Sequence, residues 1–228
     1  PDIDVTGPYL NGPGGFTEDL ARLTDPADAS RTVNYWAEQG VTSFKAYQQI
    51  TRAELKAAID AAHAHHDKVT GHLCSVTFRE AADLGIDNLE HGFFVATDFV
   101  KDKKSDQCPR GGEKSIAALD LDSPPVQSLI KLLVAKHVAL TSTLGVFATF
   151  VPGRPETLQA ALDLLNPALR DLYESTWKKT QAMPAARAKI MKEEFAKATA
   201  LEKRFVEAGG LLMAGSDPTG YGGVIPGF

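Results

Sequence analysis

The sequence is poor in the residues that mark several classes of protein. Cysteine occurs only twice in 228 residues. The positions of Cys74 and Cys108 match neither a disulfide framework nor a zinc ribbon, so we predict two free thiols. No apolar run approaches the ~20 residues that a membrane-spanning helix needs, so we expect no membrane partner.

Excess positive charge is also missing. Acidic residues number 29 against 24 basic ones, the net charge is −5, and no basic patch dominates. We therefore expect no nucleic-acid partner. Internal repeats, low-complexity tracts and domain linkers are absent as well, and the length suits one α/β domain. The chain begins at Pro1 without a visible signal peptide, and its sequence assigns neither a compartment nor an oligomeric state.

Short apolar strands alternate with helices along the chain. Asp25-Pro26 and the capping-box pattern from Thr51 to Glu54 are typical helix starts. A strand–helix order favours right-handed βαβ units and a parallel sheet, hence an α/β fold. The six predicted strands lie within residues 1–16, 41–47, 68–74, 86–95, 138–150 and 211–214.

Two connections are longer than usual for a compact domain. Residues 98–123 are polar and read as irregular, whereas residues 150–209 are predicted to be mostly helical. Connections of this length predict insertions over the active face of the domain. The second contains an apolar stripe at helical spacing, which predicts core packing. The stripe consists of Met191, Phe195, Ala198, Leu201, Phe205 and Ala208.

A polar residue stands at the end of four predicted strands: Lys45, His72, His91 and Asp217. The carboxyl ends of parallel strands are where an α/β barrel keeps its chemistry. Two neutral imidazoles and a carboxylate are good ligands for a divalent ion such as zinc. A lysine ammonium does not suit such a site, but a lysine carbamate would.

Neighbouring polar residues receive different interpretations. Tyr47 follows Lys45 by two positions and is predicted to face the substrate. Glu90 precedes His91 and is predicted to face the other side of its strand, in a structural role. The cluster His63-Ala64-His65-His66 ends a helix, where such side chains complement the helix dipole. That end lies opposite the expected active face, so we predict structural roles for this cluster.

Four segments together resemble the amidohydrolase superfamily, which comprises metal-dependent hydrolases on a (β/α)8 TIM barrel. These segments are residues 41–45, 71–72, 88–92 and 214–217. The chain is most similar to the imidazolonepropionase-like and Xaa-Pro-dipeptidase-like branch. The resemblance implies that Lys45 is carboxylated by carbon dioxide and bridges one or two zinc ions. It further implies that His72 and His91 bind one ion, while Asp217 binds the other and shuttles a proton.

One feature of the superfamily is missing, namely the His-x-His pair that ends its first barrel strand. No such pair precedes Lys45. The resemblance therefore covers family strands three to eight, about six of eight. We expect residues 1–228 to form a partial barrel that is truncated at both ends.

The expected reaction is hydrolysis of an amide, peptide or cyclic-amide C–N bond in a small molecule by a metal-activated hydroxide. Two alternatives remain open. Lys45 could form a Schiff base in an aldolase-like enzyme. The chain could also be an inactive barrel fragment with a structural role.

Overall fold

Seven parallel strands form the sheet that carries the candidate site. The computed structural model describes residues 3–14, 21–156 and 159–217. The sheet order is β2-β1-β3-β4-β5-β6-β7, and every neighbouring pair is parallel. The strands are β1 (Leu10–Asn11), β2 (Ala21–Arg22), β3 (Ser43–Ala46), β4 (Lys68–Gly71), β5 (Asn88–Glu90), β6 (Ala139–Ser142) and β7 (Leu212–Ala214).

The predicted α/β class and parallel sheet are confirmed. Each of the six predicted strand regions contains an observed strand, and the two-residue β2 is an addition that sequence patterns missed. Within the described residues β2 and β7 each pair with one neighbour, so the sheet is open. An open parallel sheet is consistent with a partial barrel, and a closed (β/α)8 barrel is not seen.

Nine helices lie in the described ranges. One of them, α4, falls within residues 98–123, which we had predicted to be irregular. None of the nine has the length and apolar character that a membrane span requires. They are α1 (Pro26–Glu38), α2 (Arg52–Ala64), α3 (Phe78–Leu84), α4 (Gly112–Ala117), α5 (Pro124–Ala135), α6 (Leu144–Ala148), α7 (Gln159–Leu162), α8 (Pro167–Gln181) and α9 (Ala185–Glu207).

Side chains at the helix starts satisfy free backbone N–H groups, as the sequence predicted. The Asp25 carboxylate accepts from the Asp28 N–H at 2.7 Å and caps α1. Thr51 and Glu54 form a reciprocal capping box at α2. Caps of this kind stabilise a helix by about 1 kcal/mol each.

The two faces of the sheet differ in polarity. Phe44, Val69 and Leu89 are fully buried, whereas the alternate positions are polar. The Asn88 side-chain nitrogen donates to Thr70 Oγ1 at 2.7 Å and to Thr141 Oγ1 at 2.9 Å. Because side chains alternate along a strand, the helices cover one face and a hydrogen-bonded polar layer occupies the other.

The stripe predicted along α9 is confirmed only in part. Ala198, Leu201 and Phe205 are fully buried, but Ala208 is exposed, so its assignment to the core was wrong. Two carboxylates, Glu194 and Glu202, occupy buried positions on the same helix. A buried carboxylate is unusual unless it is paired or protonated, which makes α9 more than a packing element.

The prediction of two free thiols was wrong, because Cys74 and Cys108 form a disulfide. They are 34 residues apart, and only the tertiary fold brings the loop after β4 against residues 98–123. Arg52 holds the same loop through two hydrogen bonds of 3.1 Å to the Asp106 carboxylate. Lys103 Nζ adds a bond of 2.6 Å to the Ser75 carbonyl. The loop is thus attached to the carboxyl edge of the sheet at several points.

The histidines at the end of α2 make local contacts. His63 Nε2 lies 2.9 Å from the Asp87 carboxylate, and His65 Nε2 lies 2.9 Å from the Asn34 side-chain oxygen. Asp87 directly precedes β5, at the amino edge of the sheet. These contacts agree with the structural roles predicted for this cluster.

Candidate functional site

Parallel register brings the predicted site residues to one edge of the sheet. Lys45 lies opposite Thr70, and His72 follows the last residue of β4. His91 and Thr143 stand at the equivalent position, one residue after β5 and β6. Residues that follow neighbouring parallel strands by the same number of positions therefore lie next to one another.

The two predicted imidazoles are in contact. The ring centroids of His72 and His91 are 4.3 Å apart at an angle of 71°. Burial, together with the positive charge of Lys45, lowers the pKa of both rings to about 3, and at His72 the neighbouring His91 adds to the effect. Both rings are therefore neutral near pH 7, the form in which an imidazole binds a metal ion.

The two ring nitrogens of His91 have different surroundings. Nδ1 lies 2.8 Å from Thr143 Oγ1 and 3.6 Å from the Asp217 carboxylate. Nε2 is buried and lies 4.0 Å from a Glu90 carboxylate oxygen, but it has no hydrogen-bond partner among the described residues. Buried polar atoms are normally satisfied, so an orphaned imidazole nitrogen points to a missing partner.

His72 is held by polar and aromatic neighbours. The Gln48 side-chain nitrogen lies 3.0 Å from His72 Nε2. The Gln48 amide can donate a hydrogen bond to His72 Nε2. The Tyr47 ring meets the His72 ring edge-on at 5.0 Å and stacks on Tyr9 at 5.6 Å. Tyr47 thus lies in the candidate site, where its predicted contact with substrate remains a prediction.

Lys45 pairs with Glu90, which corrects the orientation predicted for Glu90. The Lys45 ammonium contacts the Glu90 carboxylate directly, and Thr70 Oγ1 donates to the same carboxylate at 3.1 Å. Strict alternation fails because His91 has a φ of 68°, a left-handed conformation that turns the chain after β5. Glu90 and His91 therefore both reach the site.

The ion pair determines the charge of Lys45. Burial by itself would lower the pKa of Lys45, but the Glu90 carboxylate outweighs it, with smaller contributions from Tyr9 and Asp217, and the pKa is raised overall. Lys45 is thus an ammonium ion in this arrangement. In that form it is neither a metal ligand nor a nucleophile.

Asp217 lies at the exit of β7 beside His91. Its φ is 41° and its side chain is 35% exposed. Burial raises the pKa of Asp217, Lys45 opposes this effect, and Glu90 adds to it. Left-handed backbone at a non-glycine residue is often found at functional sites, and both His91 and Asp217 have it.

Two features on the histidine side of the site are compatible with a divalent ion. The supporting observations are the neutral rings and the orphaned Nε2 of His91. The described residues do not bring three His, Cys, Asp or Glu side chains together in a metal-binding arrangement. Lys45, paired with Glu90, does not fit as a ligand in this form.

Glu202 of α9 lies directly behind the site. A Cβ atom on Gly92 would come within 1.9 Å of Glu202 Oε1, so only glycine leaves room for this carboxyl group. Oε1 is buried without a hydrogen-bond partner among the described residues. Burial raises the pKa of Glu202 to about 7, although a hydrogen bond with the Ser142 side chain opposes the rise. The protonated form is favoured in the folded protein over a wide range of pH.

We expect the substitution Glu202→Gln to change how stability depends on pH. Between the ordinary pKa of 4.5 and about 7, folded Glu202 binds more protons than the unfolded chain. The stabilisation of the folded state by protonated Glu202 is therefore fully present below pH 4.5, and it is lost as the pH rises through 7. Relative to the wild type, the variant should gain roughly 2–3 kcal/mol of unfolding free energy across this interval, at about 1.36 kcal/mol per pKa unit.

Urea unfolding of both proteins between pH 4 and 8 measures this difference. Glu207→Gln, at the exposed end of the same helix, is the matched control and should show no such trend. A difference between wild type and Glu202→Gln that stays constant with pH would mean that Glu202 does not titrate in this interval.

Four residues at the site escaped sequence reasoning: Gln48, Glu90, Thr143 and Glu202. A signal existed for Thr143, which follows β6 just as His91 follows β5. Gln48 lies three residues after Lys45, and its position after a predicted strand was a signal of the same kind. Glu202 carried no such signal, because its contact with Gly92 joins segments that are far apart in sequence.

Comparison with known proteins adds information on the fold. A scan against family models finds no match, and a search of curated proteins finds none. Bottromycin amidohydrolase has a similar structure, with a TM-score of 0.63, 17% identity and coverage of 92% of this chain. A putative prolidase from Bifidobacterium longum has a TM-score of 0.57, 20% identity and 95% coverage. Ochratoxinase from A. niger has a TM-score of 0.55, 12% identity and 99% coverage.

These similarities show a shared α/β fold. The chain covers 45%, 44% and 48% of those three structures, so it spans less than half of their length. The fold and site thus define an α/β protein whose fold is similar to those of these three structures. Its polar residues are gathered at the carboxyl edge of the sheet.

Proposed function

We propose that this chain carries half of the active site of a metal-dependent hydrolase that cleaves an amide, peptide or cyclic-amide C–N bond. The observation that carries the proposal is the pair of neutral imidazoles, His72 and His91, with Nε2 of His91 orphaned. The names of two structural neighbours, an amidohydrolase and a putative prolidase, support the same class of reaction.

His72 and His91 would hold a divalent ion, which we propose to be zinc. When bound, such an ion lowers the pKa of water and polarises a carbonyl. Thr143 and Asp217 contact Nδ1 of His91, and contacts of this type orient a ligating ring and select its tautomer. Nε2 would then be the ligating atom of His91.

Asp217 is the proposed proton carrier. Its carboxylate would accept a proton from the attacking water as the oxygen adds to the carbonyl carbon. It would then deliver that proton to the leaving nitrogen as the C–N bond breaks. A raised pKa suits both roles, because the group must gain and lose a proton near the working pH.

Lys45 would bridge two ions as a carbamate in the complete enzyme. Carboxylation requires that the amine lose its proton and leave Glu90, which releases the Glu90 carboxylate as well. In the ion-paired form the charges of Lys45 and Glu90 cancel each other beside the two imidazoles. The ion pair does not separate this role from the Schiff-base alternative, because either reaction needs the neutral amine.

Zinc binding and amide hydrolysis test the proposal together. The purified chain, supplied with zinc and bicarbonate, should retain at least one equivalent of metal and hydrolyse N-acetylated amino-acid amides or dipeptides. His91→Asn should lose the metal and the activity. His63→Asn, on the opposite edge of the sheet, is the matched control and should keep both.

Two results would contradict the proposal. Less than one equivalent of bound zinc, even with metal supplied, would favour the non-catalytic fragment. Covalent attachment of a carbonyl substrate to Lys45, trapped when borohydride reduces the imine, would favour the Schiff-base enzyme.

A further inference from the structure

A cavity of about 210 Å³ opens beside His72. Its lining includes polar side chains, those of Gln48, His72 and Thr97, and apolar ones, those of Leu73, Phe94, Val95 and Ala96. The disulfide between Cys74 and Cys108 closes one side, and Pro109, Gly111 and Gly112 complete the lining. The cavity therefore joins the candidate site to the loop of residues 98–123.

The lining selects against charged groups. None of the lining residues is Asp, Glu, Lys or Arg. By contrast, a cavity of about 430 Å³ beside α9 contains Arg154 and Lys192 but none of the site residues described above. Burying an unpaired charge costs far more than burying an apolar group. The cavity at His72 therefore suits an uncharged, mainly apolar group.

The volume limits what can enter. Pockets that hold a whole drug-sized ligand measure about 300–1,000 Å³. A cavity of 210 Å³ has room for one side group of a substrate whose reacting bond lies outside it, next to the imidazoles.

The loop that forms the outer wall is held firmly. The disulfide, the contacts of Arg52 with Asp106 and the bond from Lys103 to the Ser75 carbonyl attach it on three sides. A wall held in this way keeps its shape when a ligand arrives, and a rigid pocket discriminates by size.

We propose that this disulfide-walled cavity is the specificity pocket of the chain, and that it receives an uncharged apolar side group of the substrate. The proposal rests on the proposed hydrolase function, and it adds the class of substrate. Phe94 and the disulfide would contact the side group, while Gln48 and His72 mark the end that opens toward the reacting bond.

Gly112 provides a direct test. Gly112 lines the cavity, an added Cβ atom there would meet no heavy atom within 4 Å, and the backbone is not in the left-handed region, so a side chain can start there without a clash at Cβ. In Gly112→Phe the ring should fill the cavity. Lys114→Phe, exposed on the same short helix, adds the same ring outside the cavity and is the matched control.

The experiment compares kcat/KM for N-acetylated amides of glycine, alanine, leucine, aspartate and lysine, whose backbone ends are all uncharged. The zinc-loaded wild type should prefer leucine over both charged side chains. Gly112→Phe should lower the leucine-to-glycine ratio about 10- to 100-fold, in the range found for altered hydrophobic pockets. Lys114→Phe should leave the ratio within about twofold.

A binding measurement separates failure of the pocket from failure of the proposed hydrolase. N-acetyl-leucine amide, titrated at a temperature and pH where it is not turned over, should shift the NMR amide signals of Gly111 and Gly112. Gly112→Phe should abolish binding. If no probe is hydrolysed but these shifts occur, the hydrolase proposal fails and the pocket stands. An unchanged leucine-to-glycine ratio in Gly112→Phe, preference for a charged side chain, or absence of shifts would overturn the pocket.

Discussion

Replacing Asp217 by asparagine is expected to lower kcat by about 10²–10⁴-fold, the usual contribution of a general acid–base group. Asparagine keeps the size of the side chain and tolerates the left-handed φ of 41° at this position. The substitution thus removes the proton carrier with little strain. Because His72 and His91 are unchanged, at least one equivalent of zinc should still bind.

The pH profile distinguishes a proton carrier from a structural role. Asp217 must be ionised to accept a proton, and its pKa is raised by burial. In the wild type kcat/KM should therefore fall as the pH drops through a pKa above the ordinary value of 3.8, and Asp217→Asn should lose this limb. Asp102→Asn is the matched control, since Asp102 is exposed and also has a positive φ, of 56°. A variant with full activity, or one that keeps the acid limb, would remove Asp217 from the mechanism.

Loss of the disulfide is the second large expected effect. Replacing Cys108 by serine should lower the free energy of unfolding by roughly 4 kcal/mol, the chain-entropy value for a loop of this length. The two cysteines are 34 residues apart, so the bond restricts a long stretch of the unfolded chain. Its loss should also loosen the wall of the cavity beside His72.

Urea unfolding with and without a reducing agent measures this effect. Reduction should shift the wild-type midpoint to that of Cys108→Ser, and the variant should not respond to reduction. A wild-type midpoint that ignores the reducing agent would mean that the bond contributes little. If kcat/KM for the leucine amide changes more than that for the glycine amide on reduction, the loop also controls specificity.

Local patterns predicted much of the fold. Caps at Asp25 and Thr51 marked helix starts because a side-chain oxygen can satisfy free N–H groups only at a helix start. Alternating strands and helices predicted the parallel sheet. The same order predicted that Lys45, His72, His91 and Asp217 would meet, since the carboxyl ends of parallel strands share an edge.

Errors arose where distant segments meet. Alternation counted from His91 turned Glu90 away from the site, but the left-handed backbone at His91 breaks that alternation, and Glu90 pairs with Lys45 within the site. The spacing of the two cysteines suggested free thiols, and only the folded loop brings them together. Residues 98–123 read as irregular, yet they contain α4.

By itself, then, the sequence determined the α/β class, the strand order along the chain and which polar residues follow the strands. These features depend on neighbours within a few turns or on the common direction of parallel strands. The tertiary structure alone decided the pairing of Lys45 with Glu90, the burial of Glu202 behind Gly92 and the cavity walled by the disulfide. Each of these features joins residues that are far apart in the chain. Their burial and contacts set the charge and the shape of the site, and no local sequence pattern contains that information.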